Sequence, residues 1–257
     1  MNQPAATLRA SAMHVSLMLT CLCDAFYGEV GIACVKVLEH AGCTVDFDDR
    51  QTCCGQPPFN AGDWTAARQI ASHSLEVFPP STQYLVTPST SCAAMFREGY
   101  PMLFPNRDVP YCYELAEFLI EVMGIKKWPL SGNVITRRRR IALHRACHYR
   151  ALSHTARHPS DSGRSHQERL LDMLPGVEIV SFAHSDQCCG FGGAFSATHG
   201  SISSGIGIEK LKNIVDAGVE DIASSDMGCL MQLNGLIERH ELRLRTRHYA
   251  ELMAEAL

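Results

Sequence analysis

Eight of the twelve cysteines in this 257-residue chain fall into one pattern that occurs twice. The triplet Cys53-Cys54-Gly55 is preceded by Cys21 and followed by Cys92; the triplet Cys188-Cys189-Gly190 is preceded by Cys147 and followed by Cys229. The upstream cysteine stands 32 and 41 positions before its triplet. The downstream one stands 38 and 40 positions after the triplet's second cysteine. Order and spacing repeated together point to a duplicated unit. Compartment decides what such thiols do: exported chains pair them in disulfides, whereas a reducing compartment reserves them for metal or redox chemistry. Residues 13–19 are too short and polar-flanked for an export signal. No apolar run reaches the roughly 18 residues of a membrane helix. The expectation is a soluble, cytoplasmic chain.

Four thiolates gathered at one point could hold a structural zinc or an iron–sulfur cluster. Zinc ligands come as C-x₂₋₄-C knuckles on short hairpins, but here the close pair is adjacent and the others lie far off in sequence. Neighbouring cysteines that bind different metal atoms suit a multinuclear cluster. Gly55, Gly190, Gly192 and Gly193 let the backbone approach closely and aim N–H groups at an anionic cluster. The spacing therefore favours two clusters, one on Cys21, Cys53, Cys54 and Cys92, the other on Cys147, Cys188, Cys189 and Cys229. Zinc, or redox-active thiols, are the remaining readings.

Strands and helices must alternate to bring these residues together. Short apolar segments precede Cys21 (residues 14–19) and Cys147 (140–144) and read as buried strands. Helices are predicted over 30–40, 63–78, 167–173 and 208–217, and strands over 44–47, 84–87, 178–182 and 221–224. A last strand and helix fit 242–247 and 249–256. This alternation implies an α/β protein of two pseudo-repeated, Rossmann-like βαβ halves with parallel sheets, the cysteines lying at the strands' C-terminal ends, where such sheets form their crevice. The halves are expected as residues 1–130 and 131–257, with 129–140 as linker and 154–167 as polar loop. Each quartet is expected in its own pocket.

Bulk properties narrow the classes. Lys plus Arg number 23 and Asp plus Glu 27, a net charge of −4, which excludes the basic surface of a nucleic-acid binder. The run Arg137 to Arg140 reads as a solvated approach to a strand. Cys34, Cys43 and Cys112 read as small core hydrophobes; Cys23, two positions from Cys21, is a substitute ligand at most. His144 and His148 read as hydrogen-bonding neighbours of Cys147, able to tune a cluster or carry a proton. Arg145 and Arg150 are surface charges by default, and Met227, Leu230, Met231 and Leu233 read as core. Gly190 to Gly193 lacks the context of a dinucleotide loop.

The segments Thr20-Cys21-Leu22, Phe26-Tyr27, Gln51 to Pro57, Pro88 to Cys92, Cys188 to Gly193 and Asp226 to Met231 resemble the lactate utilization protein A group. That group lies within the wider CCG-domain family, which includes the CCG-bearing subunit of heterodisulfide reductase and the iron–sulfur subunit of glycolate oxidase. The resemblance spans nearly the whole chain. It implies a subunit relaying electrons in a cytoplasmic three-protein complex that oxidises L-lactate to pyruvate, with iron–sulfur or flavin proteins as partners; no catalytic residue is assigned. Heterodisulfide reductases end each motif in C-x-x-C, whereas Ser89 and Asp226 stand at those positions here. Four thiolates per half make an ordinary [4Fe–4S] cluster the simpler expectation and weaken the alternative of a thiol/disulfide reductase. Service to a glycolate or other 2-hydroxy acid oxidase is a further alternative. Asp226 is expected as a loop or cap residue, an oxygen ligand being the other reading.

Overall fold

The computed structural model describes residues 13–130, 138–149, 152 and 164–257. Two four-stranded, all-parallel sheets share one topology. β1 (Met13–Leu17), β2 (Cys43–Asp46), β3 (Leu85–Thr87) and β4 (Cys112–Glu114) lie in the order 2-1-3-4, and β5 (Arg139–Leu143), β6 (Val177–Ile179), β7 (Asp221–Ser224) and β8 (Arg245–His248) in the order 6-5-7-8. The registers coincide too. Leu17 pairs with Val86 as Leu143 pairs with Ala223. One residue on, Met18 N donates to Val86 O and His144 N to Ala223 O, both at 2.8 Å. Met18 and His144 are therefore structural counterparts, and so are Ser89 and Asp226, each two residues past the end of the third strand.

The inner strands β3 and β7 are buried at every position, as parallel strands covered on both faces must be. Asp221 is tolerated in β7 because Arg245 Nε reaches its Oδ1 at 2.7 Å from β8. The helix Trp64–Val77 starts where Asp63 accepts from Ala66 N at 3.0 Å, and Ser165 and Glu168 form a capping box on His166–Leu171; both follow the usual N-terminal logic.

Several elements differ from the expectation, among them the helix Met227–Arg239 and the helical stretch over 90–103, where no helix was predicted. The helix Gly200–Asp216 begins eight residues before 208, through a Gly/Ser-rich stretch of poor helix propensity. Ser203 and Gly207 there pack beneath the second triplet, so tertiary contact overrides propensity. β4, with a helix behind it over residues 115–122, was not expected, because its three residues include the charge-bearing Glu114. Arg139 and Arg140 belong to β5, not to a linker; residues 131–137 of that stretch lie outside the described residues, as do 154–163 of the expected polar loop, Arg137 and Arg150.

The two sheets are joined through one core. Val37 and Leu38 of the helix Gly28–His40 share it with Leu252 and Met253 of Tyr249–Glu255 and with Leu119. Polar bonds cross the same boundary: Tyr249 Oη donates to Glu114 Oε1 (2.7 Å), His248 Nε2 to Pro88 O (2.8 Å) and Trp128 Nε1 to Met253 O (3.2 Å). Among the described residues, no helix is long and apolar enough to cross a membrane.

Candidate metal centre

All eight motif cysteines lie beyond the C-terminal ends of strands. Thr20 caps the helix Cys21–Phe26 directly after β1. The Cys53-Cys54-Gly55 turn follows β2, and Cys92 sits in the first turn of Thr90–Ala94 after β3. The second half repeats this arrangement, with Cys229 in the first turn of Met227–Arg239. Each quartet forms a chain of sulfur contacts, Cys21–Cys53–Cys54–Cys92 and Cys147–Cys188–Cys189–Cys229.

Both quartets line a single cavity of about 280 Å³. The expected pair of separate pockets is corrected on this point: the sheets' crevices face one another, so the two halves share one space. Leu22, Pro57, Phe191 and Met227 also line it, and the lining is mostly apolar.

The triplet turns depend on glycine. Gly55 and Gly190 have φ of +86° and +89°, a left-handed conformation that side-chain-bearing residues avoid. A Cβ on Gly190 would stand 2.3 Å from Ser203 O. These conformations turn Gly55 N to Cys53 Sγ (3.4 Å) and Gly190 N to Cys188 Sγ (3.3 Å).

The electrostatics are those of crowded sulfurs. S–H donation from Cys21 and Cys54 holds Cys53 down to about 3, and donation from Cys147 and Cys189 holds Cys188 down to about 2. The donors, Cys21, Cys54, Cys147 and Cys189, are pushed up by the same contacts and by burial. Four sulfurs this close ionise together only around a multivalent cationic centre. The donor set, the glycine cradles and the N–H groups aimed at sulfur all fit a metal–sulfide group.

Asp226 is the loop residue expected, but not a capping one. It holds the N-cap position of Met227–Arg239, yet its side chain makes no capping bond. Instead Oδ1 accepts from Ser89 Oγ at 2.7 Å, from Ser91 N at 3.2 Å and from Ser91 Oγ. Its Oδ2 is buried without a partner, and the residue lines the cavity. The two positions where a fifth cysteine would stand thus bond to each other across the halves.

His144 is fully buried, both ring nitrogens lack partners, and its ligating atom lies within 4.8 Å of the Cys189 and Cys229 sulfurs. Burial pushes its pKa down to about 3. Gln56 Nε2 donates to His148 Nε2 at 3.0 Å, which leaves the His148 Nδ1–H facing Cys147 Sγ at 3.7 Å.

Lys210, fully buried, was not singled out from sequence. Its Nζ donates to Gln187 O (2.7 Å) and Ser185 O (3.2 Å) under the second triplet. Burial pulls it down to about 8, so it is still cationic at neutral pH. The available signal was a lysine on the apolar stripe of Ser203, Gly207, Leu211 and Ile214.

Cys34, Cys43 and Cys112 are buried in the core. Cys23 packs in the same core as Cys34 and Cys43, away from the cavity lining, and burial pushes it up to about 12. Leu230 and Leu233 are fully buried and Met227 nearly so.

The family model described as "Cysteine-rich domain" (CCG) matches residues 15–97 and again 141–234. The chain belongs to the CCG family. Both matched stretches of this CCG protein contain one full quartet. It is 36% identical over 253 residues to lactate utilization protein A 1 of Bacillus mycoides (strain KBAB4), covering 95% of this chain and 97% of that one. It is 38% identical over 250 residues to lactate utilization protein A of Geobacillus kaustophilus (strain HTA426), covering 94% and 98%. Lactate utilization protein A of Geobacillus thermodenitrificans (strain NG80-2) is 37% identical over 252 residues, covering 94% and 98%. Within the CCG family the chain thus falls in the lactate utilization protein A group.

Proposed function

We propose that the chain is the iron–sulfur electron-transfer subunit of a cytoplasmic L-lactate-oxidising complex. Cys21, Cys53, Cys54 and Cys92 would hold one [4Fe–4S] cluster, and Cys147, Cys188, Cys189 and Cys229 the other. The observation that carries the reading is two four-sulfur sets facing one mostly apolar cavity. A pocket built to bind a hydroxy acid's carboxylate needs a convergent cationic group; among the described residues this lining has no Lys or Arg, its titratable side chains being Asp226, His148 and the cysteines. Bound clusters supply one-electron storage. The chain's own residues hold the sulfurs and turn Gly55 and Gly190 N–H groups toward them.

A carrier of this kind needs a donor and an acceptor, so partner subunits bearing flavin or further iron–sulfur groups belong to the proposal. Residues 1–130 and 131–257 would be the two duplicated units. Ser89 and Asp226 argue against a disulfide-cleaving site with a fifth cysteine.

Anaerobic purification followed by iron, sulfide and zinc analysis tests the reading. About eight iron with matching sulfide per chain is expected for two [4Fe–4S] clusters, with EPR signals on reduction. Stoichiometric zinc without sulfide would overturn it.

A further inference from the structure

The two quartets are built on the same scaffold, but their surroundings are not equivalent. At three counterpart positions the second half has a nitrogen-bearing side chain where the first has none. Met18 in the first half is His144 in the second, fixed by matching backbone bonds at the ends of β1 and β5. Leu22, after Cys21, is His148 after Cys147. The third pair follows from the helices beneath the triplets. A Cβ on Gly55 would meet Ala67 O and one on Gly190 would meet Ser203 O, which aligns Ala67 with Ser203 and Ser74, seven residues on, with Lys210. The bonding agrees: Ser74 Oγ donates to Cys53 O at 3.3 Å, and Lys210 Nζ to Gln187 O at 2.7 Å.

Each of the three acts in the same direction. His144 places a ring nitrogen, itself without a hydrogen-bond partner, within 4.8 Å of the Cys189 and Cys229 sulfurs. His148 directs Nδ1–H to Cys147. Lys210 places a buried cation within Coulombic reach of Cys188, Cys189 and Cys229. Met18, Leu22 and Ser74 offer the first quartet no such N–H donor or charge. Cys147 is also exposed where Cys21 is partly covered. Donors to sulfur, nearby positive charge and solvent all stabilise the reduced, more negative state of a cluster. The fourth counterpart pair, Ser89 and Asp226, acts the other way, since the Asp226 charge reaches Cys147; bonds from Ser89 and Ser91 of the first half offset part of that charge.

We propose that the second quartet holds the more oxidising centre, because His144, His148 and Lys210 stand where the first half has Met18, Leu22 and Ser74. This rests on the iron–sulfur reading above. In protein carrying one electron, that electron resides at the second quartet: the first centre is oxidised by one electron, the second reduced by one, and no proton or third reactant takes part. Transfer within the chain therefore runs downhill from the first half to the second. The three residues are positioning groups that act through the cysteines.

The test is a dithionite titration of the anaerobically purified full chain, followed by EPR. Wild type should show two one-electron waves. His144→Met and Lys210→Met should each lower the upper midpoint alone, shifting the oxidised-to-reduced ratio about tenfold, or 59 mV for one electron. Lys210→Arg should restore it, which a purely structural role would not predict. Met18→His should raise the lower midpoint and narrow the gap. If a second-half variant fails to fold, Cys54→Ser decides, since the wave that survives should be the upper one. Movement of the lower midpoint by His144→Met, no movement at all, or survival of the lower wave in Cys54→Ser would each overturn the proposal. Wild-type protein without iron and sulfide would instead overturn the functional reading beneath it.

Discussion

Ser89 Oγ donates to Asp226 Oδ1 at 2.7 Å, joining the residues three positions before Cys92 and Cys229. Both are buried, and Ser89 Oγ also accepts from Cys92 N at 3.2 Å. One hydroxyl thus caps a ligand-bearing helix and ties the two halves at the cavity. Ser89→Ala leaves a buried carboxylate short of a donor, so it should lower unfolding stability by about 2–3 kcal/mol. Urea unfolding checks this; an unchanged midpoint would show that the bond contributes nothing.

The triplet glycines should differ in tolerance. Gly55→Ala meets Ala67 O at 3.3 Å and Gly190→Ala meets Ser203 O at 2.3 Å, both at positive φ. The left-handed backbone costs each about 1–2 kcal/mol, and the backbone clash adds to the second alone. Thermal unfolding should rank Gly190→Ala as clearly the more destabilised. Equal losses would mean that the helix Gly200–Asp216 shifts away freely.

Glu114 gives the fold a pH dependence. Burial, with Glu117 close by, raises its carboxyl from 4.5 to about 8, against the donors Tyr249 and Ala116. A carboxyl raised on folding binds its proton more tightly in the native state. Its stabilising contribution is whole below 4.5 and is lost as pH rises to about 8. The slope is at most about 1.4 kcal/mol per pH unit. Glu114→Gln should flatten the stability profile across that window; a profile identical to wild type would exclude this assignment.

Cysteine substitutions should sort by position rather than by burial. Cys54→Ser or Cys189→Ser should each reduce iron from about eight to about four per chain, as the other quartet is still intact. Cys112→Ala, fully buried in the core, should keep all the iron while losing stability. Iron loss from Cys112→Ala equal to that from Cys54→Ser would refute the ligand sets.

The sequence alone determined the duplication, the α/β alternation and the two groups of four cysteines. A repeated C…CCG…C order and period-breaking glycines are local signals that survive without coordinates. β4 was not legible, since three residues containing Glu114 carry no strand pattern, and that carboxyl is accommodated there by its raised proton affinity and by buried bonds from Tyr249, Gln167 and Ala116. Only the tertiary structure decided that the quartets share one cavity, that Asp226 turns to Ser89 instead of capping its own helix, and that Lys210 lies beneath Cys188. Each of these is a contact between residues more than twenty positions apart, the first two across the boundary where the two halves meet and the third within the second half, and no spacing within a single segment encodes it.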